Sequence, residues 1–211
     1  MGRHDRAGGV RTTELKPTDM RITRYGWIAY GLALALIVLD QVSKQEMLKV
    51  FVGHCGRMVL VPMRFGPDCR LGVTPFFDLS MIWNPGMSFG FLNTSGSLGR
   101  WFLTVFALLV AGGLAWWVRN SDRLIFTLAA GLLIGGSVGN VIDRFHYGAV
   151  VDFLDFSRLG FRYIFNVADS GVTVGAILLL IEAFWPSLRG ALPRWRDRLR
   201  SLLASMRVRG N

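Results

Sequence analysis

Four long apolar runs set the frame of this 211-residue chain, at about 27–52, 101–118, 124–142 and 169–185. A helix rises 1.5 Å per residue, so each run crosses, or nearly crosses, ~30 Å of hydrocarbon. The first run is interrupted by Asp40 and Lys44. It does not read as a cleaved secretory signal, because it starts late, no small-x-small site follows it and further spans come after. About fifty residues of different texture separate the first two runs. They hold Val59-Leu60-Val61-Pro62, Thr74-Pro75-Phe76-Phe77-Asp78 and Leu79-Ser80-Met81-Ile82-Trp83 between turn residues, which predicts short strands. Residues 144–165 are aromatic and are expected along the membrane interface. The predicted fold class is an α-helical membrane protein with four transmembrane helices and a small extracytoplasmic β-sheet between helices 1 and 2. The expected organisation is a basic tail at 1–25, one membrane domain at 26–186 and a second basic tail at 187–211.

Composition agrees: 52% of residues are hydrophobic and 18% charged, with a mean hydropathy of +0.39. That is too apolar for an ordinary soluble domain. The formal net charge of +10 raises the question of nucleic acid. The cations are not interleaved with aromatics in a stripe, however, so no nucleic-acid partner is expected. They gather in the N-tail (Arg3, Arg6, Arg11, Lys16, Arg21, Arg24), at Arg119 and Arg123 between runs two and three, and in the C-tail (Arg189, Arg194, Arg196, Arg198, Arg200, Arg207, Arg209). Four spans put these three segments on one side, which the positive-inside rule makes cytoplasmic. The tail at 193–208 is expected as a basic amphipathic helix on anionic lipid. Trp27, Trp101, Trp116, Trp117 and Trp185 are expected interface anchors. The two cysteines, Cys55 and Cys69, have neither CxxC spacing nor a His cluster, so no metal is expected. A disulfide and two separate thiols are equally compatible with their spacing.

Ionisable groups at membrane depth are costly, by roughly 2.5 kcal/mol or more each, and mark function. By helical rise, Asp40, Asp143 and Asp169 all fall near the outer face. Asn84 and Asn140 belong to the same layer, and Asp152 to the outer connection. Gly131, Gly135 and Gly139, and again Gly171 and Gly175, have the spacing that lets helices approach closely. Asn140 and Asp143 share a face at i and i+3. Asp169 opens the fourth helix, as an anion favoured by the helix dipole or as a simple N-cap. Two Asp side chains brought together here are the equipment of an aspartic hydrolase. Ser43 and Lys44 are neighbours on a helix and point apart, and His4, His54 and His146 lack a convincing Ser or Cys beside them. The alternative class is a small proton-coupled membrane transporter, which predicts carboxylates staggered through the bilayer rather than gathered at one face.

Five segments carry a family resemblance: Leu39-Asp40-Gln41-Val42-Ser43-Lys44, Trp83-Asn84-Pro85-Gly86-Met87-Ser88-Phe89-Gly90, Gly135 through Arg144, Val150-Val151-Asp152-Phe153 and Phe165-Asn166-Val167-Ala168-Asp169-Ser170. Together they resemble lipoprotein signal peptidase (signal peptidase II). The resemblance implies a four-helix aspartyl protease of the bacterial inner membrane with a periplasmic β-cradle. It implies diacylglyceryl-modified prolipoprotein substrates, cut before the lipidated Cys, among membrane lipids. No cofactor is implied, and the chain is expected to act as a monomer. Carried over by motif, Asp152 and Asp169 are the catalytic pair, with Asp40, Asn84, Asn140, Asp143, Arg144 and Asn166 around them. Asp143 is the main rival for a catalytic place, and its neighbour Arg144 argues instead for a paired, ionised carboxylate. Arg144 and Asn140 are expected to hold the substrate. The chain departs from the pattern at Met87 and Ser88 and in the long loop at 51–75.

Overall fold

The computed structural model describes residues 21–60, 69–86 and 97–184. The tails, Val61 and Pro62 of the expected strand, the departures Met87 and Ser88, and Trp185 therefore lie outside the described residues. Four helices are long and apolar enough to cross a membrane: α1 (Arg24–Cys55), α2 (Ser97–Val118), α3 (Leu124–His146) and α4 (Val167–Phe184). Thr23 caps α1, its hydroxyl accepting the Gly26 N–H at 3.1 Å. The buried residues of α1 run Ala29, Ala33, Leu36, Asp40, Lys44, Leu48, Phe51, one stripe at helical spacing. Asp40 and Lys44 thus face inward, while Leu34, Val38 and Val42 face outward.

Helix α3 is the most enclosed of the four, and its glycines explain how closely α1 can approach it. A Cβ on Gly135 would stand 2.8 Å from the Ala33 carbonyl oxygen, and one on Gly139 would stand 2.7 Å from an Asp40 carboxylate oxygen. Small residues here let a carboxylate on α1 reach α3. Ala29, Ala33, Leu114, Val118, Ala130 and Leu133 fill the core toward the basic end of the bundle. Trp27, Trp101, Trp116 and Trp117 are exposed, as interface anchors should be.

The sheet differs in make-up from the sequence expectation. Its order is β1 (Arg70–Thr74), β2 (Phe77–Asn84), β3 (Val150–Asp155), β4 (Ile164–Phe165), antiparallel throughout. Only the first two strands come from between α1 and α2; the other two come from between α3 and α4. Thr74 and Phe77 pair across the tip of the β1–β2 hairpin. Val59 and Leu60, expected in a strand, fall in a 3-10 turn at Arg57–Leu60. Strand β3 is buried along nearly its whole length, so it needs cover on both faces. Val151 and Phe153 receive it from Leu48 and Phe51 of α1 and from Cys69.

Cys55, at the end of α1, is disulfide-bonded to Cys69, just before β1, with 6.0 Å between their Cα atoms. The bond ties the sheet to α1 beside the core that supports β3. It closes a loop of sequence separation 14, which on chain-entropy grounds is worth about 3 kcal/mol. The Cys55→Ser/Cys69→Ser double variant should therefore unfold at a clearly lower temperature in detergent. An unchanged midpoint would contradict this role.

Candidate functional site

A buried ammonium organises the outer end of the bundle. Lys44 Nζ donates to Asp40 Oδ2 at 2.7 Å and to Asn140 Oδ1 at 3.2 Å, and pairs with Asp143 Oδ2 at 2.8 Å. All three charged side chains are at most 3% exposed. Gln41 joins them, its Nε2 donating to Asp143 Oδ1 at 3.0 Å and to Asp40 Oδ2 and the Gly139 carbonyl at 3.2 Å. Each carboxylate then reaches one backbone N–H. Asp40 Oδ1 accepts from Ala168 at 2.9 Å, and Asp143 Oδ2 accepts from Val151 at 3.0 Å. Ala168 precedes Asp169, and Val151 precedes Asp152. The ion cluster therefore clamps the residue before each member of a second carboxylate pair, one on β3 and one in the first turn of α4.

Asp152 and Asp169 have different surroundings. Asp152 Oδ1 accepts from the Asn166 side chain at 2.7 Å and Oδ2 from the Asn84 side chain at 2.9 Å. Asp169 Oδ1 accepts from the Asn140 side chain at 2.7 Å and Oδ2 from the Asn166 backbone N–H at 3.3 Å. Asn166 also accepts the Asp169 N–H at 2.8 Å, a cap closing the α4 N-terminus. Asn166 is fully buried and touches both carboxylates. Its amide also reaches Asn140 Oδ1 at 3.1 Å. Asn140 is thereby a bridge between the ion cluster and the pair, and the described contacts engage both ends of its amide.

These differences set the electrostatics. Asp143 has Lys44 as its direct ion-pair partner, rather than the adjacent Arg144 expected from sequence. Asp152 is held by neutral amides. Burial, and then the nearby Asp169 charge, push its carboxyl up to about 7 against the opposing hydrogen bonds. Arg144 lies within electrostatic range of Asp169, Asp143 and Asp152, and its Nε is buried without a partner among the described residues.

Sequence reasoning left Lys44 and Gln41 out of the site. The signal was present: Lys44 stands at i+4 from Asp40 within a membrane span, where a lone ammonium is too costly to leave unpaired. It also missed a second polar network at the far end of β3. There Asp155 Oδ2 accepts from Arg70 and from the Ser80 hydroxyl at 2.6 Å, and Arg158 Nε donates to Asp78 at 2.7 Å. Burial alone would raise the Asp155 carboxyl, but the bonds from Ser80, Arg70 and Ser157 outweigh it and hold it below the usual carboxylate range. The network fastens Asp78 and Asp155, which are register partners across β2 and β3.

A four-span bundle carrying clustered carboxylates at one end, beside a small sheet, is the architecture of a membrane-embedded enzyme. The chain belongs to the signal peptidase II family: the family model described as signal peptidase (SPase) II matches residues 32–185. Its relatives include the lipoprotein signal peptidase of Caulobacter vibrioides, 46% identical over 79% of this chain and 92% of that one. Another is the lipoprotein signal peptidase of Methylobacterium sp., 37% identical over 75% of this chain and 89% of that one. A solved bacterial membrane enzyme is similar in fold, with a TM-score of 0.60 and 26% identity, covering 79% of this chain and 93% of that one. The protein is accordingly a membrane protease of this family, and nothing favours a transporter.

If Lys44 is the hub, Lys44→Met strands two buried carboxylates and should destabilise the fold by about 3–5 kcal/mol. Asp40→Asn in the same background should recover part of that loss. Unfolding midpoints of the two single variants and the double variant give the coupling; simple additivity would show that the ion cluster carries no such load.

Proposed function

We propose that the chain is an aspartic endopeptidase that removes the signal peptide from diacylglyceryl-modified prolipoproteins, cutting before the lipidated Cys, with Asp152 and Asp169 as the catalytic pair. One observation carries this assignment. Of the carboxylates in this layer, these two are linked through Asn166 and receive only amide donors among the described contacts, whereas Asp40 and Asp143 are both ion-paired to Lys44. Amides orient a carboxylate without cancelling its charge, so two such groups side by side keep one proton between them.

That protonation state suits peptide hydrolysis. The ionised carboxylate takes a proton from a water whose oxygen attacks the scissile carbonyl carbon. The protonated carboxyl donates to the carbonyl oxygen and stabilises the charge that develops there. The tetrahedral intermediate then collapses with cleavage of the C–N bond, and the leaving amine takes a proton from the pair. Asn84, Asn140 and Asn166 keep both carboxylates aimed, and Arg144 offers its unpartnered Nε to a substrate carbonyl. No step calls for a metal or cofactor.

We place the site near the periplasmic face of the bacterial inner membrane, with both termini cytoplasmic. The basic segments at one end and the disulfide at the other support that orientation. Among the described residues, no carboxylate interrupts the spans between this layer and Glu182 at the opposite end of α4. A proton relay would need such groups; a surface protease does not.

Asp152→Asn and Asp169→Asn should each lower turnover of a lipidated prolipoprotein by on the order of a thousandfold or more without lowering the unfolding midpoint. Wild-type cleavage in either variant would reject the pair. With the Asp152 carboxyl raised to about 7, kcat/KM should fall on the alkaline side of neutrality as the pair loses its proton, and a profile flat to about pH 9 would contradict this. The same shift makes the native state hold more protons than the unfolded chain between the ordinary value of 3.8 and about 7. Stability should therefore decline as pH rises through that window, and Asp152→Asn should remove that part of the slope.

A further inference from the structure

The outer connection between β3 and β4 carries a ladder of aromatic rings that the catalytic reading does not use. Phe77 packs on Phe156 at 4.8 Å between centroids, and Phe156 stacks on Phe165 at 5.8 Å with planes 14° apart. Phe161 stands edge-on to Phe165 and to Tyr163, at 5.8 Å in both cases. The ladder starts half-buried against the sheet and ends in the open: Leu159 is 66%, Phe161 48% and Tyr163 68% exposed. Arg162, exposed between Phe161 and Tyr163, has no partner among the described residues. Arg158, by contrast, is turned back onto Asp78, which fastens the connection to the β1–β2 hairpin.

We infer that this connection is a membrane-surface anchor, with Leu159, Phe161 and Tyr163 seated in the headgroup region of the outer leaflet and Arg162 on lipid phosphate. Its position argues for phospholipid rather than a protein partner. Tyr163 is four residues before Val167, the first residue of the fourth span, so the exposed rings stand at the boundary that α4 enters. A tyrosine with an apolar ring and a polar hydroxyl, flanked by a phenylalanine, a leucine and a cation without a partner among the described residues, has the composition that settles at that level. Left in water, the same three side chains would form an exposed apolar patch with no purpose in a monomer. The anchor also bears on the site. Phe161 of the anchor packs on Phe165, which is followed directly by Asn166, the residue that touches both carboxylates. Lipid contact at the tip therefore sets the height of the pair above the bilayer. Given the proposed function, that height matters because the substrate is itself fixed in the bilayer by its diacylglyceryl group.

The test has two readouts. Both cysteines of the chain are in the disulfide, so a spin label attached to Phe161→Cys or Tyr163→Cys reports one place. In proteoliposomes of phosphatidylethanolamine and phosphatidylglycerol, the label should collide more readily with oxygen than with a water-soluble nickel complex. Water-like accessibility at both positions would overturn the anchor, and this readout does not depend on activity. In the second readout, Phe161→Asp/Tyr163→Asp should lower kcat/KM on the order of fivefold in those proteoliposomes and by less than about twofold in detergent micelles. Equal loss in both media would show a packing role, and no loss in either would show that depth does not matter; each would overturn the height-setting claim. Asp152→Asn assayed alongside reports the catalytic reading separately.

Discussion

A buried ammonium between two buried carboxylates is the constraint on which this structure turns. Removing Lys44, Asp40 and Asp143 from water costs several kcal/mol per ion, and only close pairing offsets it. The pairing forces α1 against α3, and the glycines of α3 make that approach sterically possible. The unengaged lone pairs of the same carboxylates then find backbone N–H groups at Ala168 and Val151. An ion-pairing contact in the bundle thus becomes a positional constraint on a strand and on a helix terminus that are distant in sequence. Residues adjacent to those two N–H groups inherit the constraint, and both are aspartates.

The layer therefore contains two kinds of carboxylate. Asp40 and Asp143 face a cation and serve as struts. Asp152 and Asp169 face amides from Asn84, Asn140 and Asn166, which fix direction and leave charge. The separation explains how four acidic groups can crowd one end of a small membrane protein without collapsing into a single ion-pair network. It also gives Asn140 a particular place: it accepts from Lys44 and donates to Asp169, so it transmits the order of the struts to the pair.

Much of this was legible in the sequence. The apolar runs located the spans to within a few residues, and helical rise put Asp40, Asp143 and Asp169 in one layer. The motif segments brought in Asp152, Asn84 and Asn166. What was not legible depended on pairing across long separations. Val150–Asp155 reads as a short apolar stretch with two acids, and nothing local says that it lies against Phe77–Asn84, about seventy residues earlier. The sheet was consequently assigned to one connection when it draws on two. Val59 and Leu60 suggested a strand by residue type, but the short segment that follows the Gly56 cap of α1 turns as a 3-10 helix instead. Lys44 was visible, yet its role depends on Asp143, which lies 99 residues away and is seen only in three dimensions. The disulfide was undecided because spacing alone does not fix Cα separation.

The most direct test of the central claim is a structure of the protein with a peptide-like inhibitor bearing a hydroxyl in place of the scissile carbonyl. This hydroxyl should lie within hydrogen-bond reach of both Asp152 and Asp169, with Lys44, Asp40 and Asp143 making no contact with it. A hydroxyl bound instead at Asp143, or one that reaches only a single carboxylate, would contradict it.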